Sequence, residues 1–448
     1  MKNSDTKITD TNNKKSIFNK QVLSWCLWDL GSAAFNSVVT TFIFTVYLTS
    51  KPFGDSSDTS TAVGYGFTIA GFLIALLAPL TGQRADKAGK GTFWLGVNSM
   101  IVVACIFGLF FVKPHPSYLL LGIILLSVGN VFAEFAGVNY NAMITRVSNS
   151  NNIGLISGIG WGSGYVGGIV LLLILFIGFI SPEVGWFGVT SAEGLNVRAS
   201  MLVAGLWMLL ASIPVLLFVP GKKHDSQLPP KVSLFQSYKE LWSTLKLIRK
   251  EAPQTFLFLA ASAVFRDGLA AVFTFGAVIA AGTFGFEKSE VILFGIIANL
   301  VAGIATMLFG FFDDLLGPKI VIIVSLICMC ISGTCVFIFA GYGPIYFWVF
   351  GLILSVFVGP TQSASRTYLA RMIPEGKEGE VFGLYATTGR AISFIAPAAF
   401  TLFVSTAKSF HSEYAQSWGI LGIALILLIG LVMMIFVKGD PKHKTFDN

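Results

Sequence analysis

Charged residues are scarce in this chain, and their scarcity excludes an ordinary soluble domain. Asp, Glu, Lys and Arg together make up 12% of the 448 residues, whereas soluble globular domains carry about 25%. Hydrophobic residues make up 54% of the chain, and the mean hydropathy is +0.76. This composition predicts a protein that lies mostly within a lipid bilayer.

The residue types of catalytic and metal sites are also few. The four His residues fall in loops or tails, and neither they nor the five Cys residues show zinc-ligand spacing or a secreted disulfide pattern. No Ser-His-Asp or Cys-His arrangement is present. A Gly-x-Gly-x-x-Gly pattern at 162–167 lies inside an apolar run, so it predicts close helix packing and not a dinucleotide site. We therefore expect no enzyme and no cofactor.

The chain does contain apolar runs long enough to cross about 30 Å of hydrocarbon. These runs are continuous and do not alternate with polar residues, which favours helices over a β-barrel. They predict twelve spans, at 22–48, 62–82, 92–112, 118–140, 153–181, 199–219, 255–283, 289–310, 319–341, 344–372, 380–405 and 416–437. The predicted fold class is an all-α membrane protein.

Positive charge predicts which ends of the spans face the cytoplasm. Most of the 30 Lys and Arg residues fall in the two tails and in the loops on one predicted side. The other side holds only Lys51, Lys113, Arg198, Lys288 and Lys408. This bias predicts a multi-pass protein of the cell membrane with both termini in the cytoplasm. Topology and attraction to anionic membrane lipids account for the net charge of +7, so we expect no nucleic-acid partner.

The longest loop on the predicted cytoplasmic side divides the spans into six and six. Prolines at its start are followed by apolar residues at helical spacing, interspersed with Lys and Arg. This pattern predicts an amphipathic helix on the inner membrane surface, with a calmodulin-target helix as the alternative. The predicted organisation is a tail at 1–21, a six-helix half at 22–219, a linker at 220–253, a second half at 254–437 and a tail at 438–448.

The two halves repeat one another at three places. Residues 82–91 and 310–319 share the pattern Gly-x-x-x-Asp-x-x-Gly between two apolar runs, and Asp29 is in register with Asp267 in the first span of each half. Arg146 precedes Ser157 by the same distance that Arg371 precedes Phe382. Three matches in the same order predict a duplicated chain, which is how many transporters are built.

We interpret the repeated Gly-x-x-x-Asp-x-x-Gly stretches as short polar turns that gate the cytoplasmic side. Their glycines let helix ends approach closely, and the aspartate can accept hydrogen bonds from a neighbouring helix N-terminus. Ordinary positively charged loop residues are the alternative interpretation. The gating candidates, including the arginines after the fourth span of each half, are Gly82, Arg84, Asp86, Gly89, Arg146, Gly310, Asp314, Gly317 and Arg371.

Ionisable residues inside the apolar runs predict a water-filled cavity between the halves. A charge near the bilayer centre costs about 2.5–3.5 kcal/mol, so such residues should face water or a partner. Small and polar residues share a helix face with Asp29 and with Glu134. The candidates for contact with a substrate or coupling ion are Asp29, Asn36, Glu134, Asn141, Arg266, Asp267, Gln362, Arg366 and Arg390.

Structural roles remain open alternatives for several of these residues. Arg266 and Asp267 lie near a helix end, where simple solvation at the membrane interface would suffice. A helix cap or ion pair is the alternative for Asp29, and a hydrogen bond to Ser or Asn is the alternative for Glu134. Arg390 is expected either to bind an anionic group of the substrate or to neutralise Asp267 or Asp29 across the interface.

Several motifs together resemble the vacuole-effluxer-like family of major facilitators. Residues 28–35 are similar to the signature of its first span, and Asp267-Gly268 to its seventh. Residues 140–168 are similar to its loop between spans 4 and 5 and to its fifth span, and residues 362–385 to its tenth and eleventh. The chain departs from the family at Gly31, where Ala is usual. It also departs at Phe312-Asp313, which replaces a basic and a small residue.

The resemblance implies a major facilitator fold and secondary active transport by alternating access. It suggests a small polar metabolite as substrate, with amino acids among the candidates and either export or import as the direction. We expect coupling to protons, through Asp29, Glu134 or Asp267, or to another ion, and we expect a monomer surrounded by membrane lipids. A membrane-embedded lipid-modifying enzyme or lipid scramblase is the alternative, followed by a channel or sensor.

Overall fold

The computed structural model describes residues 19–219, 221, 234–373, 376–411 and 414–438. Within these ranges the chain is almost entirely helical, and strand-like pairing is confined to an isolated bridge between Val184 and Thr190. The predicted tails and the start of the predicted linker lie almost wholly outside the described residues, and the boundaries of the predicted halves and linker stay predictions.

Twelve helices in the described ranges are long and apolar enough to cross a membrane. Spans 1 to 12 are Lys20–Leu48, Asp58–Lys87, Gly91–Leu109, Pro116–Val147, Ile153–Ile180, Ala192–Phe218, Pro253–Phe284, Glu290–Leu316, Pro318–Ile338, Pro344–Met372, Glu378–Ser409 and Ala415–Phe436. Each span overlaps the corresponding predicted run, so the predicted fold class is confirmed. We call spans 1–6 the N-terminal half and spans 7–12 the C-terminal half.

Spans 1, 10 and 11 change helix type or break near their middles. Their parts are Lys20–Ala33 (α), Ala34–Phe42 (π) and Phe44–Leu48 (α) in span 1, Pro344–Val356 and Val358–Met372 in span 10, and Glu378–Ala391 and Ile395–Ser409 in span 11. Interrupted helices are tolerated within a membrane only where protein or water satisfies the freed backbone groups. All three interrupted spans therefore have to face the interior of the molecule at these points.

Two pairs of helices join the halves on one side of the molecule. Because the twelve spans alternate in direction, span 1 begins and span 12 ends on the same side, which we call the termini side. There span 2 packs on span 11, and span 5 packs on span 8. A methyl group at Gly82 would lie 1.9 Å from the carbonyl oxygen of Gly379, and one at Gly158 would lie 2.9 Å from the Cα of Gly310. Only glycine allows backbones to approach this closely.

The same helices separate away from the termini side. Gly71 lies one turn beyond Ala75 on the face of span 2 that packs against span 11, yet a side chain at Gly71 would meet open space. A side chain at Gly295, on the face of span 8 that packs against span 5, would also meet open space. The structure is therefore closed between the halves on the termini side and open between them on the other side.

The buried apolar residues follow the same division. One cluster crosses both halves and includes Trp25, Ile156, Phe258 and Phe382. A second cluster lies within the N-terminal half, in the far parts of its spans, and includes Phe35 and Leu175. The members of the shared cluster that come from the N-terminal half lie toward the termini side, so burial of apolar surface contributes to holding the halves together there.

The polar turns are shorter than the repeated pattern predicted. Span 2 stays helical as far as Lys87, and span 8 as far as Leu316. Gly82, Arg84, Asp86, Gly310 and Asp314 are therefore helical, and only Gly89 and Gly317, with φ angles of 61° and 95°, lie in the turns. The first glycine of each repeat serves close packing between the halves and not a change of chain direction.

The predicted linker contains the helix Leu234–Glu251. The Tyr238 hydroxyl donates a hydrogen bond to the carbonyl oxygen of Leu76 in span 2 at 2.7 Å. Side chains of this helix also line an apolar groove with Leu384 and Thr387 of span 11. The linker helix therefore lies across the contact between spans 2 and 11.

Replacing Gly310 with alanine should weaken the contact between spans 5 and 8. The added methyl group would lie 2.7 Å from the carbonyl oxygen of Gly154 and 3.1 Å from the Cα of Gly158, so the helices must move apart. We expect the Gly310→Ala substitution to lower the free energy of unfolding by about 1–3 kcal/mol. The melting temperature of the detergent-solubilised protein should fall accordingly.

Gly71→Ala is the matched control for this substitution. Its methyl group meets open space within a helix, so stability should rise by about 0.5–1 kcal/mol because the backbone loses freedom in the unfolded state. Equal melting temperatures for the two variants would contradict the close packing at Gly310.

Candidate functional site

A cavity of about 210 Å³ lies between the halves, between the termini-side contacts and the open ends of the spans. Its walls include the aromatic side chains of Trp28, Phe35, Tyr140 and Trp161. Of the residues that the sequence predicts to contact substrate or coupling ion, Asp29, Asn36, Glu134, Asn141, Arg366 and Arg390 line this cavity. Arg266, Asp267 and Gln362 do not belong to its lining.

The π-helix of span 1 shapes one wall of the cavity. The carbonyl oxygen of Asn36 accepts hydrogen bonds from the hydroxyls of Thr40 and Thr41, each at 2.7 Å. A π-helical turn is wider than an α-helical one and is frequent at functional sites. Here it leaves Asn36 exposed in the cavity while the two threonine hydroxyls satisfy its backbone carbonyl.

Asp29 lies on the N-terminal half of the cavity wall. The hydroxyl of Tyr140 donates to its Oδ2, and the hydroxyl of Ser32 donates to its Oδ1, both at 3.3 Å. The guanidinium of Arg366, from span 10 of the opposite half, lies close enough to Asp29 for an electrostatic interaction. Asp29 is thus held by its own half and faces a cation of the other.

Arg366 enters an aromatic cage that belongs to the N-terminal half. Its Cζ lies 4.9 Å from the ring centroid of Trp25, 5.7 Å from that of Tyr140 and 5.2 Å from that of Trp161. A guanidinium within about 6 Å of an aromatic face is attracted to the electrons of the ring. With the Arg366 residue only 1% exposed, these contacts lie away from water.

Three hydrogen bonds fix the Arg366 guanidinium across the interface between the halves. Its Nε and Nη2 donate to the Oγ and carbonyl oxygen of Ser157, at 3.0 and 2.7 Å, and its Nη1 donates to Oδ1 of Asn141 at 3.2 Å. Ser157 also accepts a hydrogen bond from the Ser363 hydroxyl. Arg366 therefore joins span 10 to spans 4 and 5 at the termini-side end of the cavity.

Glu134 and Arg390 form a second ionic contact between the halves. Nη2 of Arg390 donates to Oε2 of Glu134 at 2.9 Å, and the two side chains are 35% and 27% exposed, respectively. Of the two roles expected for Arg390, neutralisation of Asp267 or Asp29 is not found in this structure, where Arg390 pairs with Glu134. Span 4 faces this part of span 11, whereas the Asp267 carboxylate is committed to a different contact.

Asp267 caps the second part of span 11. Its buried Oδ2 accepts a hydrogen bond from the backbone N–H of Ala396, at 2.6 Å, in the first turn of Ile395–Ser409. A carboxylate here satisfies an orphan N–H group and complements the positive end of the helix dipole. The break in span 11 therefore depends on an acid from span 7.

Arg266, next to Asp267, is also held by span 11. Its Cζ lies 3.8 Å from the ring centroid of Tyr385, and its Nη1 donates to the carbonyl oxygen of Tyr385 at 3.0 Å. Neither Arg266 nor Asp267 is therefore simply solvated at the membrane interface. Gln362 is half-buried on the second part of span 10, outside the cavity lining.

Asp86 makes a backbone contact with the opposite half on the termini side. Its Oδ2 accepts a hydrogen bond from the N–H of Glu380, in the first turn of span 11, at 2.8 Å. Arg146 is half-buried and interacts electrostatically with Asp86 and with Glu378. This is the type of contact that the sequence predicts for Asp86. Arg84 is exposed.

Asp314 makes the equivalent contact with span 5. Its two carboxylate oxygens accept hydrogen bonds from the N–H groups of Gly154 and Leu155, at 2.7 and 2.8 Å. Arg371 donates to Asp314 at 3.0 Å and pairs with the buried Asp313 at 3.2 Å. The second repeat, which departs from the family pattern at Asp313, thus has an additional carboxylate in its contact.

Sequence reasoning missed several residues that complete these contacts. Ser157 and Trp25 position Arg366, Asp313 pairs with Arg371, and the Thr367 hydroxyl donates to Asp313. Asp313 was visible as the immediate neighbour of a gating candidate. Ser157 was visible as the first residue of a Ser-Gly pair in the repeated loop. Trp25 and Thr367 left no separate signal, because their apolar and small side chains fit ordinary span residues.

Comparison with known proteins identifies a matching family. A sequence model of the family described as "Vacuole effluxer Atg22 like" matches residues 46–445. The MFS-type transporter YxiO of Bacillus subtilis is 27% identical over 95% of this chain and 96% of its own length. Autophagy-related protein 22 of Yarrowia lipolytica is 26% identical over 72% of this chain and 57% of its own length. The chain thus spans about half the length of the fungal relatives it matches.

Solved structures with the same fold are transporters of the major facilitator superfamily. The proton:xylose symporter XylE superposes with a TM-score of 0.70 at 15% identity, covering 94% of this chain and 96% of that one. FucP in its outward conformation superposes with a TM-score of 0.66 at 13% identity, covering 95% and 100%. At this identity the likeness establishes the fold alone. The matching family is described as one of effluxers and the Bacillus relative as an MFS-type transporter, so the alternative of a lipid-modifying enzyme is set aside.

Removing the Arg366 guanidinium should destabilise the protein strongly. An Arg366→Gln substitution leaves Ser157 and Asn141 without their buried donor and Asp29 without its facing cation. Breaking a buried charged contact costs about 3–5 kcal/mol, and we expect a loss of this size in the free energy of unfolding. Thermal unfolding in detergent measures it.

Arg390→Gln is the matched control, because the Arg390 side chain is partly exposed and makes one hydrogen bond to the described residues. Its loss should cost about 1 kcal/mol or less. If the two variants unfold at the same temperature, the structural role assigned to Arg366 is wrong.

Proposed function

The chain belongs to the Atg22-like vacuole effluxer family, and on that premise we propose that it is a secondary active transporter of a small polar metabolite. The observation that carries this proposal is the cavity between the halves, which both halves line with charged side chains. A transporter needs such a site and needs access to it from one side at a time. The closed termini side and the open far side meet that requirement for one state of the cycle.

Alternating access then requires the two termini-side contacts to break. In the opposite state, span 11 leaves Asp86 and span 5 leaves Asp314, while the far ends of the spans approach. Both contacts consist of hydrogen bonds from backbone N–H groups to a carboxylate, which can form again without rearranging either helix. We propose that these contacts are the gate and that the termini side is the cytoplasmic side, as the distribution of positive charge favours.

The proposed substrate is a small polar metabolite, and amino acids are among the candidates. Proton coupling is assigned to Asp29 or Glu134, because both carboxylates line the cavity. Asp267 is less suited to this role, since its carboxylate is buried as a helix cap. Because one chain supplies the whole cavity and both gates, we propose that the monomer is the transporting unit.

Weakening the gate carboxylates should shift the protein toward the state that opens on the termini side. Hydrogen bonds to charged groups contribute about 1.5–3 kcal/mol, which corresponds to roughly a 10- to 100-fold change in the ratio of the two states. We expect Asp314→Asn to have the larger effect, because Asp314 accepts two backbone hydrogen bonds from span 5 through its two carboxylate oxygens. Spin labels at Lys90 and Lys377 report the separation of the halves by double electron–electron resonance.

Glu193→Gln serves as the control for this measurement, because Glu193 forms an exposed ion pair with Lys113 on the far side. Asp86→Asn and Asp314→Asn should lengthen the distance between the labels, and Glu193→Gln should not. Identical distance distributions in all three variants would rule out these carboxylates as the gate.

Transport is tested with the purified protein in proteoliposomes. An imposed pH gradient should drive the flux of at least one member of a panel of amino acids, organic acids and sugars. We expect Asp29→Asn to reduce the gradient-driven flux by about tenfold or more, because its carboxylate can no longer exchange a proton in the cavity. Asp58→Asn, which removes an exposed carboxylate outside the cavity, is the control and should retain the flux.

The absence of flux for every panel member would contradict the proposed function. If flux is present but unchanged in both Asp29→Asn and Asp267→Asn, transport stands and coupling through these acids is wrong. A reduction in Asp267→Asn alone would assign coupling to the helix cap and not to the cavity.

A further inference from the structure

The charges in and beside the cavity are divided by sign between the halves. The N-terminal half contributes carboxylates, Asp29 and Glu134, and the C-terminal half contributes guanidinium groups, Arg266, Arg366 and Arg390. Asp29 faces Arg366, and Glu134 faces both Arg390 and Arg266. The part of the site around Glu134 therefore has one negative and two positive groups, which leaves an excess of positive charge.

Two of the three guanidinium groups are already committed to protein partners. Arg366 uses Nε, Nη1 and Nη2 in hydrogen bonds and is buried in its aromatic cage. Arg266 stacks on the Tyr385 ring and donates to the Tyr385 carbonyl. Both groups hold spans together and have little capacity left for a ligand.

Arg390 differs from them in exposure and in unused donors. Its side chain is 35% exposed and lines the cavity, and among the described residues its hydrogen-bond partner is Glu134 alone, through Nη2. A guanidinium has five N–H donors in a planar fork that matches a carboxylate or phosphate. Nε and Nη1 of Arg390 thus have no hydrogen-bond partner among the described residues. Each bidentate fork of a guanidinium also includes Nη2, however, so an anion that binds in this way has to take the place of Glu134.

We infer that Arg390 binds an anionic group of the transported molecule, a carboxylate or a phosphate, and that Glu134 occupies this place while the cavity is empty. The inference rests on the proposed function, because it names a chemical class for the cargo of the same cavity. The anion takes the Glu134 position on the Arg390 fork, where the positive charge of Arg266 adds to its attraction. Glu134 is then a competitor of the substrate and not one of its ligands.

A permanent structural ion pair between Glu134 and Arg390 makes a different prediction. If the pair only joins spans 4 and 11, removing either partner disturbs the cavity and weakens ligand binding in both variants. If Glu134 competes with the ligand, removing Glu134 strengthens anion binding, whereas removing Arg390 abolishes it. The direction of the change in anion affinity in the two variants therefore distinguishes competition by Glu134 from a permanent structural ion pair.

The test is a binding titration of the purified full chain in detergent, followed by the fluorescence of the tryptophans, of which Trp28 and Trp161 line the cavity. The probes are succinate and glycerol 3-phosphate, each paired with an uncharged analogue, succinamide and glycerol. We expect at least one anion to bind about tenfold or more tightly than its analogue, because only the anion can use the Arg390 fork. The two pairs separate a carboxylate-binding from a phosphate-binding site.

The variants then test the competition directly. Glu134→Gln should tighten binding of that anion by about tenfold, and Arg390→Gln should remove the difference between the anion and its uncharged analogue. Arg390→Lys keeps the positive charge without the fork and should bind with intermediate affinity. Glu193→Gln removes an equal charge at an exposed ion pair outside the cavity and should leave the affinity unchanged. Melting temperatures of the variants confirm that each one is folded.

Three results would overturn the inference: weaker anion binding in Glu134→Gln, full discrimination in Arg390→Gln, or no anion binding to either the natural protein or Glu134→Gln. None of these results depends on transport. Anion binding without flux in proteoliposomes would leave the site standing and contradict the proposed function. Flux restricted to uncharged molecules would leave the function standing and contradict the site.

Discussion

A polar group inside the hydrocarbon region must find a partner, and in this chain the partner repeatedly lies in the opposite half. Arg366 satisfies its donors on Ser157 and Asn141, Glu134 pairs with Arg390, and Asp314 accepts the N–H groups of span 5. Desolvation makes these contacts necessary in the closed region, because an unpaired charge there is costly. The same requirement links the two halves and confines movement between them to states in which water or a new partner replaces each lost contact.

Duplication supplied both halves with similar positions, but the structure uses them differently. Asp29 and Asp267 occupy matching places in spans 1 and 7, yet Asp29 faces the cavity while Asp267 holds the start of a half-helix in span 11. The termini-side contacts have diverged less, since Asp86 and Asp314 both accept backbone N–H groups from the opposite half. Positions that close the structure have kept one chemistry, and positions that face the cavity have separated into binding and supporting roles.

Much of the fold could be predicted from the sequence, because span length and hydropathy depend on the bilayer and not on the neighbours of a helix. The periodicity of Asp29 and Glu134 likewise placed them on polar faces that do line the cavity. Which side chains pair between helices could not be predicted in the same way. A helical pattern shows which residues share one face of a helix, but not which other helix that face packs against. The expected roles of Arg390 were therefore an anionic group of the substrate or a pair with Asp29 or Asp267, and its contact with Glu134 emerged only from the packing of span 4 against span 11. Gly82 and Gly310 were expected to allow close approach of helix ends but were placed in turns, because close packing and a change of direction both select glycine.

The termini-side carboxylates accept hydrogen bonds from main-chain groups, and this has a consequence for how the sequence can drift. At Leu155 and Glu380 the donor is the peptide N–H, which every amino acid except proline supplies. The contact therefore does not depend on a matched pair of side chains that would have to mutate together. Aspartate must be preserved on one helix, whereas Leu155 and Glu380 can change over evolutionary time to any residue except proline without loss of these hydrogen bonds. Gly154, the other donor to Asp314, is restricted by the close approach of span 8.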